Sequence, residues 1–200
     1  SAAQSVLNQA RTGQAERLAA GAALASAALS TAFGQELDVQ NLRGEANYWR
    51  VVQAKSTPFY GAALQVGALL AGAEEETAQG LYRYGVLLGE IIQVWDDLID
   101  AFQTPAGPDW LEGRNNLALL YASVAEHAER ARFLDLVENA SDPAALKEAQ
   151  GILVCSGAVS YCVYQLAHRA AKARHQLAQL RLRDAKPLSA ILDAQLAPIA

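Results

Sequence analysis

Three aspartates lie within a short, otherwise apolar segment of this sequence. Asp96, Asp97 and Asp100 follow a run that includes Ile, Val and Trp, and no Lys or Arg lies among them. In a helix, Asp96 and Asp100 would share one face, with Asp97 about 100° further round. Like charges at this spacing destabilise a helix, and a set of carboxylate oxygens favours a hard cation such as Mg²⁺ or Ca²⁺. The pattern therefore predicts a divalent cation site, and an exposed acidic helix turn is the alternative.

Two basic residues stand where they would neutralise a diphosphate held by such a cation. Lys55 lies at the junction of two apolar segments, and Arg114 ends a polar loop just after the aspartates. Mg²⁺ usually reaches a protein through one or two carboxylates together with substrate phosphates, and Lys and Arg both pair with phosphate oxygens. We therefore predict a site for Mg²⁺ and a diphosphate. The sequence offers neither a Gly-rich phosphate loop nor a CxxC pair for another chemistry.

The segments that must position these groups are predicted to be helical. Residues 1–33 are rich in Ala and end at an expected helix break at Gly34. Pro58 suits the first turn of a helix that runs to about residue 72. Apolar residues then recur at helical spacing from 77 to 102, so one long helix carries the three aspartates.

The second half of the sequence continues the helical pattern. The run from Thr104 to Pro108 is the clearest break in the chain. A long helical pattern over residues 144–183 is expected to break at Gly151 or Gly157. No segment alternates between apolar and polar residues as a strand would. We therefore predict an all-α fold in a single domain over residues 1–200.

Charge and composition exclude some classes of function. The net charge is -5, and no basic patch dominates, which argues against a nucleic-acid-binding protein. The basic stretch from Arg169 to Arg183 is predicted to be a solvated helix face.

The sequence favours a cytoplasmic protein without a membrane span. Cys155 and Cys162 lie seven residues apart in an apolar run, and we predict two buried free thiols in a reducing compartment. No signal peptide is apparent. Two uncharged runs, residues 56–73 and 151–167, approach spanning length, but their Gly and Ala content favours buried helices.

Four segments, by their order and spacing, resemble the trans-isoprenyl diphosphate synthase family, also called the polyprenyl synthetase family, in the second half of its fold. The resemblance extends from about Gln14 to Tyr121. The segments are Gly34-Gln35-Glu36-Leu37-Asp38, which is similar to the family's "GQ..D"; Lys55-Ser56, similar to "KT"; Gln93 to Asp100, similar to "FQ..DD..D"; and Asp109 to Leu120, similar to "D...GK.TLPLL".

The resemblance implies a helical bundle of the isoprenoid synthase type and a Mg²⁺-dependent prenyl transfer. In this reaction an allylic diphosphate ionises, isopentenyl diphosphate attacks the cation, and a proton is lost. The implied metal ligands are Asp96, Asp97 and Asp100. The implied diphosphate-binding residues are Lys55 and Arg114, and the implied catalytic residues are Lys55, Ser56 and Gln93.

The sequence also departs from the family pattern, which leaves several functions open. The family's first aspartate-rich motif and its isopentenyl-binding basic residues belong to N-terminal helices that are not among these 200 residues. Ser56 replaces Thr, Arg114 replaces Lys and Ala118 replaces Pro. We expect a prenyl synthase portion that needs the missing half, as a homodimer or paired with a synthase subunit. The alternatives are a non-catalytic regulatory subunit, or a prenyltransferase or terpene cyclase that uses another acceptor.

Overall fold

The computed structural model describes residues 2–9 and 12–197, and every regular element within these ranges is helical. This confirms the predicted all-α fold. A π-helical turn, Val52–Ser56, joins α3 to α4. The helices, numbered along the chain, are α1 (Ala2–Gln9), α2 (Gln14–Gln40), α3 (Glu45–Val51), α4 (Thr57–Leu70), α5 (Glu75–Phe102), α6 (Pro108–Leu111), α7 (Leu117–Val124), α8 (Arg130–Glu138), α9 (Pro143–Cys155), α10 (Ala158–Gln179) and α11 (Lys186–Leu196).

Helix α5 is the element around which the others pack. Its 28 residues carry a buried stripe that includes Leu88, Ile91 and Val94, at the spacing expected for one face of a helix. Helices α4 and α10 both pack along α5, and α7 and α9 complete the core next to α10. The aspartates lie at the C-terminal end of the same helix, so the core fixes their position.

Glycines allow α4 to approach α5 closely. A Cβ at Gly85 would stand 2.8 Å from the Cα of Gly61, and a Cβ at Gly89 would stand 3.0 Å from the Cα of Thr57. A larger residue at either position would hold the two backbones apart. The contact brings the start of α4 next to the turn of α5 that precedes Gln93.

The predicted helix break at Gly34 is wrong, because α2 continues without interruption to Gln40. Gly34 is buried, and a Cβ there would stand 2.6 Å from the Cα of Lys55 in the π-helical turn. The missing side chain therefore serves a close contact between two segments rather than a break. The chain turns instead at Asn41, whose φ of 47° lies in the left-handed region.

Two other predicted boundaries, the helix start at Pro58 and the break in the long pattern over residues 144–183, are confirmed. Pro58 lies in the first turn of α4. The long pattern breaks at Gly157, whose φ is 86°, while Gly151 lies inside α9. The carboxylate of Asp142 accepts a hydrogen bond from the N–H of Ala145 and caps α9.

The prediction of two buried free thiols holds for Cys162 and is wrong for Cys155. Both cysteines are free, but Cys155 is exposed. Cys155 ends α9, and α10 leaves at a bend of 55°. Residues seven apart therefore no longer share one helix face.

One helix of the described residues, α2, is long and apolar enough to cross a membrane when judged by length and composition. The two runs considered in the sequence give different elements: α4 has 14 residues, fewer than the roughly 20 that a span needs, and α9 and α10 pass the same test only as a bent pair. Much of α2 faces outward, and its Leu18 and Leu29 are 67% and 74% exposed.

Candidate functional site

The π-helical turn carries Lys55 and Ser56 at the entrance to α4. Pro58 has no N–H, so it cannot donate to the carbonyl four residues back, as a residue inside a continuous α-helix does. In the residue before it, Thr57, the N–H bonds to the carbonyl of Val52, five residues back, which makes the turn π-helical. Single π-turns of this kind are frequent at functional sites.

Lys55 pairs with Asp38, the acidic residue of the "GQ..D" segment. Its Nζ lies 2.5 Å from Asp38 Oδ2, and both side chains remain partly exposed. The close contact at Gly34, one helical turn before Asp38, brings the two side chains together. The ammonium group is thus held in place while one side of it stays open to solvent and to an anion.

Ser56 and Gln93 form one hydrogen-bonded unit. The hydroxyl of Ser56 donates to Gln93 Oε1 at 2.8 Å, and Gln93 Nε2 donates to Asp97 Oδ1 at 3.0 Å. These two bonds fix which end of the Gln93 amide faces Ser56. Of the three residues that the resemblance assigns to catalysis, Ser56 and Gln93 are therefore in direct contact, and Lys55 precedes Ser56 in the same π-helical turn.

Asp97 faces the protein interior. It is 3% exposed, and its Oδ2 accepts a hydrogen bond of 2.8 Å from the N–H of Leu117 while Oδ1 accepts from Gln93. Burial raises the pKa of Asp97 to about 7, although the N–H of Leu117 lowers it in part. Because both oxygens are engaged inside the protein, this geometry does not support Asp97 as a metal ligand. Asp97 instead joins α5 to the start of α7.

Asp96 and Asp100 are the two aspartates that face outward, one helical turn apart on α5. Partial burial and the charge of Asp100 raise the pKa of Asp96, so a divalent cation between the two would relieve their repulsion. Among residues 2–9 and 12–197, no group of three or more His, Cys, Asp or Glu side chains is arranged to hold a metal. The residues present fit a Mg²⁺ ion that takes two carboxylates and completes its shell with phosphate and water.

Arg114 lies at the surface on the loop between α6 and α7. Its guanidinium is 2.7 Å from Glu112, whose hydrogen bond and charge raise the pKa of Arg114. A cavity of about 250 Å³ is lined by Arg114, Glu112, Gln35 and Asp38. The loop therefore meets the "GQ..D" segment, and Asp38 lies between the two predicted diphosphate-binding cations.

The loop that carries Arg114 is fastened to α2 and to α5. Asn41 donates to the carbonyl of Gly113 at 3.1 Å, and Asn115 donates to the carbonyl of Leu42 at 2.9 Å. Asn116, which is fully buried, bonds to α5. None of these three asparagines was identified from the sequence. The only available signal was Asn116 itself, a strong helix-cap residue directly before an apolar helix.

A buried ion pair lies one helical turn before Gln93. Glu90 Oε2 is 2.8 Å from Arg169 Nε, and the side chains are only 9% and 11% exposed. The guanidinium stacks over Trp49 at 3.6 Å from the ring centroid, and Gln53 donates to Glu90 Oε1 at 3.2 Å. The prediction of a solvated basic face is therefore wrong for Arg169, because Glu90 and Trp49 draw it into the interior.

Comparison with known proteins assigns these features to one family. The sequence model described as Polyprenyl synthetase matches residues 1–153, more than half of the chain. The chain belongs to the polyprenyl synthetase family. Its "KT"-like and "FQ..DD..D"-like segments meet through the bond between Ser56 and Gln93, so this geometry accords with the resemblance.

The polyprenyl synthetase chain matches both curated relatives and solved structures. It is 33% identical over 148 residues to nonaprenyl diphosphate synthase of Mycobacterium tuberculosis, covering 70% of this chain and 44% of that protein. It is 37% identical over 90 residues to heptaprenyl diphosphate synthase component 2 of Geobacillus stearothermophilus, covering 42% of this chain and 28% of that protein. The crystal structure of polyprenyl synthase from Caulobacter crescentus CB15, complexed with calcium and isoprenyl diphosphate, gives a TM-score of 0.79 at 27% identity, covering 90% of this chain and 59% of that one.

The polyprenyl synthetase chain covers only part of the length of the proteins that it matches. It spans less than half the length of either curated relative. It spans about three-fifths of the solved polyprenyl synthase chain. Activity, substrates and partners of the whole protein are therefore proposals.

Proposed function

We propose that the protein to which this polyprenyl synthetase chain belongs is a Mg²⁺-dependent trans-prenyltransferase that condenses an allylic diphosphate with isopentenyl diphosphate. The observation that supports it best is the bond between Ser56 and Gln93, which joins the lysine-bearing turn to the helix of the exposed Asp96 and Asp100. Carboxylates and cations at the same end of α5 suit a metal-bound diphosphate. The C. crescentus relative was solved with calcium and isoprenyl diphosphate, a ligand pair of this chemistry.

Asp96 and Asp100 would hold the Mg²⁺ ion. When bound, Mg²⁺ neutralises negative charge that develops on a departing diphosphate. Asp97 would support these two residues without contacting the metal. Its bonds to Gln93 and Leu117 fix the orientation of the end of α5. This proposal differs from the sequence-based expectation, in which all three aspartates bind the metal.

Lys55 and Arg114 would bind the diphosphate. Each already pairs with one carboxylate, Asp38 or Glu112, and each remains partly or largely exposed. A diphosphate carries more negative charge than a single carboxylate and offers several oxygens, so it would compete for both cations. The existing pairs orient the cations before the ligand arrives.

Gln93 would lie beside the reacting carbons. Its amide oxygen is oriented by the Ser56 hydroxyl and its amide nitrogen by Asp97. A fixed dipole of this kind stabilises developing charge without having to reorient during the reaction. Ser56 supplies the hydroxyl that the family's "KT" pair supplies with Thr.

The hydrocarbon part of the substrate would lie in a groove between α2 and α4. The groove has a volume of about 550 Å³ and extends from Gln35, in the "GQ..D" segment, to Phe59 in the first turn of α4. Small side chains such as Ala28, Ala32 and Ala63 line it. A wall of small apolar groups suits an isoprenoid chain.

Groups outside this chain would complete the site. The relatives are more than twice as long as the matched part, so the isopentenyl-binding residues and further metal ligands would come from the rest of the protein or from a partner subunit. One relative is named as component 2 of a heptaprenyl diphosphate synthase. We propose assembly as a homodimer or with a synthase subunit, and a cytoplasmic location stays a prediction.

The test uses the complete protein with labelled isopentenyl diphosphate, an allylic diphosphate and Mg²⁺. We expect longer prenyl diphosphates as products, and we expect Asp96→Ala to reduce their formation by at least about a thousandfold. Glu138→Gln, on an exposed carboxylate of α8 remote from the site, is the matched control and should retain activity. Full activity of Asp96→Ala would refute the proposal. Products formed equally well without isopentenyl diphosphate would instead indicate another acceptor or cyclisation.

A non-catalytic synthase-like subunit is the second candidate. The component name of one curated relative favours it. Such a subunit would keep the fold and co-purify with an active synthase but would not bind inorganic pyrophosphate in the presence of Mg²⁺. Calorimetric titration of the protein with Mg²⁺ and pyrophosphate separates the two candidates.

A further inference from the structure

Asn116 is a fully buried amide that uses all of its hydrogen-bonding positions. Its Oδ1 accepts from the N–H groups of Ala118 and Leu119 at 3.0 and 3.3 Å, which caps α7. Its Nδ2 donates to the main-chain oxygen of Asp97 at 2.7 Å and to Asp109 Oδ2 at 2.9 Å. An amide has two N–H donors and two acceptor positions, so every one of them is engaged.

Capping alone does not require asparagine at this position. Ser, Thr and Asp cap helices about as well, and the family pattern "D...GK.TLPLL" has Thr where this chain has Asn116. A Thr hydroxyl can donate only one hydrogen bond, and a carboxylate donates none. The asparagine is the residue that can cap α7 and also donate to Asp97 and Asp109.

Asp109, the acceptor of one of these bonds, lies near the candidate site, because the same amide also donates to the main chain of Asp97, next to Asp96 on α5. Burial and the negative charges of Asp100 and Asp38 raise its pKa, while Asn116 and Arg114 lower it. The carboxylate therefore lies within electrostatic reach of an exposed aspartate, of the partner of Lys55, and of the loop arginine. The amide donor stabilises the charged carboxylate against the repulsion from Asp100 and Asp38.

We infer that Asn116 is a positioning residue that holds the Asp109 carboxylate beside the end of α5 that carries Asp96 and Asp100, at the edge of the diphosphate site. The inference rests on the proposed function. Asp109 so held would accept hydrogen bonds from the hydration shell of the bound cation. Residues that orient such groups typically contribute ten- to hundredfold to metal affinity or activity. The bond to the main chain of Asp97 fastens the same amide to α5, so loop and helix keep one relative position.

The experiment measures binding of inorganic pyrophosphate to the complete protein in the presence of Mg²⁺ by calorimetry. Asn116→Thr keeps the cap and loses the amide, and we expect it to weaken binding about tenfold. Asp109→Ala should weaken binding to a similar extent. In the double variant, Asn116→Thr should add nothing further, because its effect passes through Asp109. Asp142→Ala removes the cap of α9 remote from the site, and it should lower the melting temperature without changing the affinity.

The outcomes separate this inference from the proposed function. Additive effects in the double variant, or an Asn116→Thr protein that binds as tightly as the wild type, would overturn the positioning role. Loss of affinity in Asp142→Ala equal to that in Asn116→Thr would do the same, since it would trace the effect to helix stability. A wild-type protein that does not bind Mg²⁺ and pyrophosphate at all would refute the proposed function itself.

Discussion

The backbone of Lys55 lies directly against Gly34 of α2, so closely that no side chain fits between them. One turn further along α2, Asp38 pairs with the ammonium group of the same lysine. Helix α2 therefore sets both the main-chain position and the charge environment of Lys55. The "GQ..D" and "KT" segments act as one unit although they lie about 20 residues apart in sequence.

Replacing Gly34 by alanine is expected to destabilise the protein by about 3 kcal/mol, because the new Cβ would overlap the backbone of Ala54 and Lys55. Gly67 of α4 is the matched control: a Cβ there meets no neighbouring atom, and Gly67→Ala should stabilise the helix by about 1 kcal/mol. Urea unfolding followed by circular dichroism measures both. Equal effects of the two substitutions would contradict the close contact.

Ser56→Ala is expected to lower the turnover number of the proposed prenyl transfer about tenfold, because Gln93 would lose the donor that orients its amide oxygen. Ser56→Thr keeps the hydroxyl and restores the residue of the family pattern, so it should retain most of the activity. Steady-state kinetics with the complete protein measures both variants. Equal turnover of the alanine and threonine variants would argue against an orienting role of the hydroxyl.

The buried carboxyl of Asp97 should make the protein less stable as the pH rises from about 4 to 7. Its pKa is about 7 in the folded protein and 3.8 ordinarily, so the folded state binds more protons in this range and loses stability as they leave. The difference corresponds to a contribution on the order of 4 kcal/mol.

Urea titrations between pH 4 and pH 8 check this, with Asp97→Asn as the comparison because it cannot ionise. The free energy of unfolding of the wild type, minus that of the variant, should fall across the interval. A difference that rises with pH would show that the ionised carboxylate is the preferred buried form.

For the buried ion pair between Glu90 and Arg169, removing one charged partner should destabilise the protein more than removing both. Removing one partner, as in Glu90→Leu, leaves an unpaired buried guanidinium and should destabilise the protein by about 3–5 kcal/mol. The double variant with Arg169→Met should recover much of this loss, since both charges are then gone.

The exposed pair of Arg132 and Glu148 provides the control for this cycle. Breaking that pair should change the unfolding free energy far less, because water replaces the lost partner. If Glu90→Leu is no more damaging than Glu148→Leu, the ion pair is effectively solvated.

The parts of the structure that follow from local chemistry were predicted from the sequence. The helical spacing from residue 77 to 102, Pro58 at a helix start and Gly157 at a break all became features of the structure. Asp96 and Asp100 were expected to share one face of a helix, and they do. In each case the deciding interactions lie within one or two turns of the same chain segment.

The features that the sequence did not reveal are those in which a segment distant in sequence determines where a residue lies. Gly34 was interpreted as a helix break because glycine is a poor helix former, yet the backbone at Lys55 requires it there. The inward position of Asp97 also depends on a distant residue, because the N–H of Leu117, 20 residues away, donates to its carboxylate; its role as a metal ligand stays a prediction. Arg169 was expected in solvent, and Glu90 holds it in the core. Sequence spacing alone does not contain these contacts.

The outward face of α2 has a consequence for handling the polypeptide. Leu18, Leu29 and Val39 are each more than two-thirds exposed, and Phe33 is 52% exposed. Exposed apolar side chains along one helix lower colloidal stability, because bringing two such helices together releases ordered water. The apparent mass of this chain by itself should therefore rise with concentration in light scattering. Its loss from solution on storage should follow from self-association through α2 rather than from unfolding of the core.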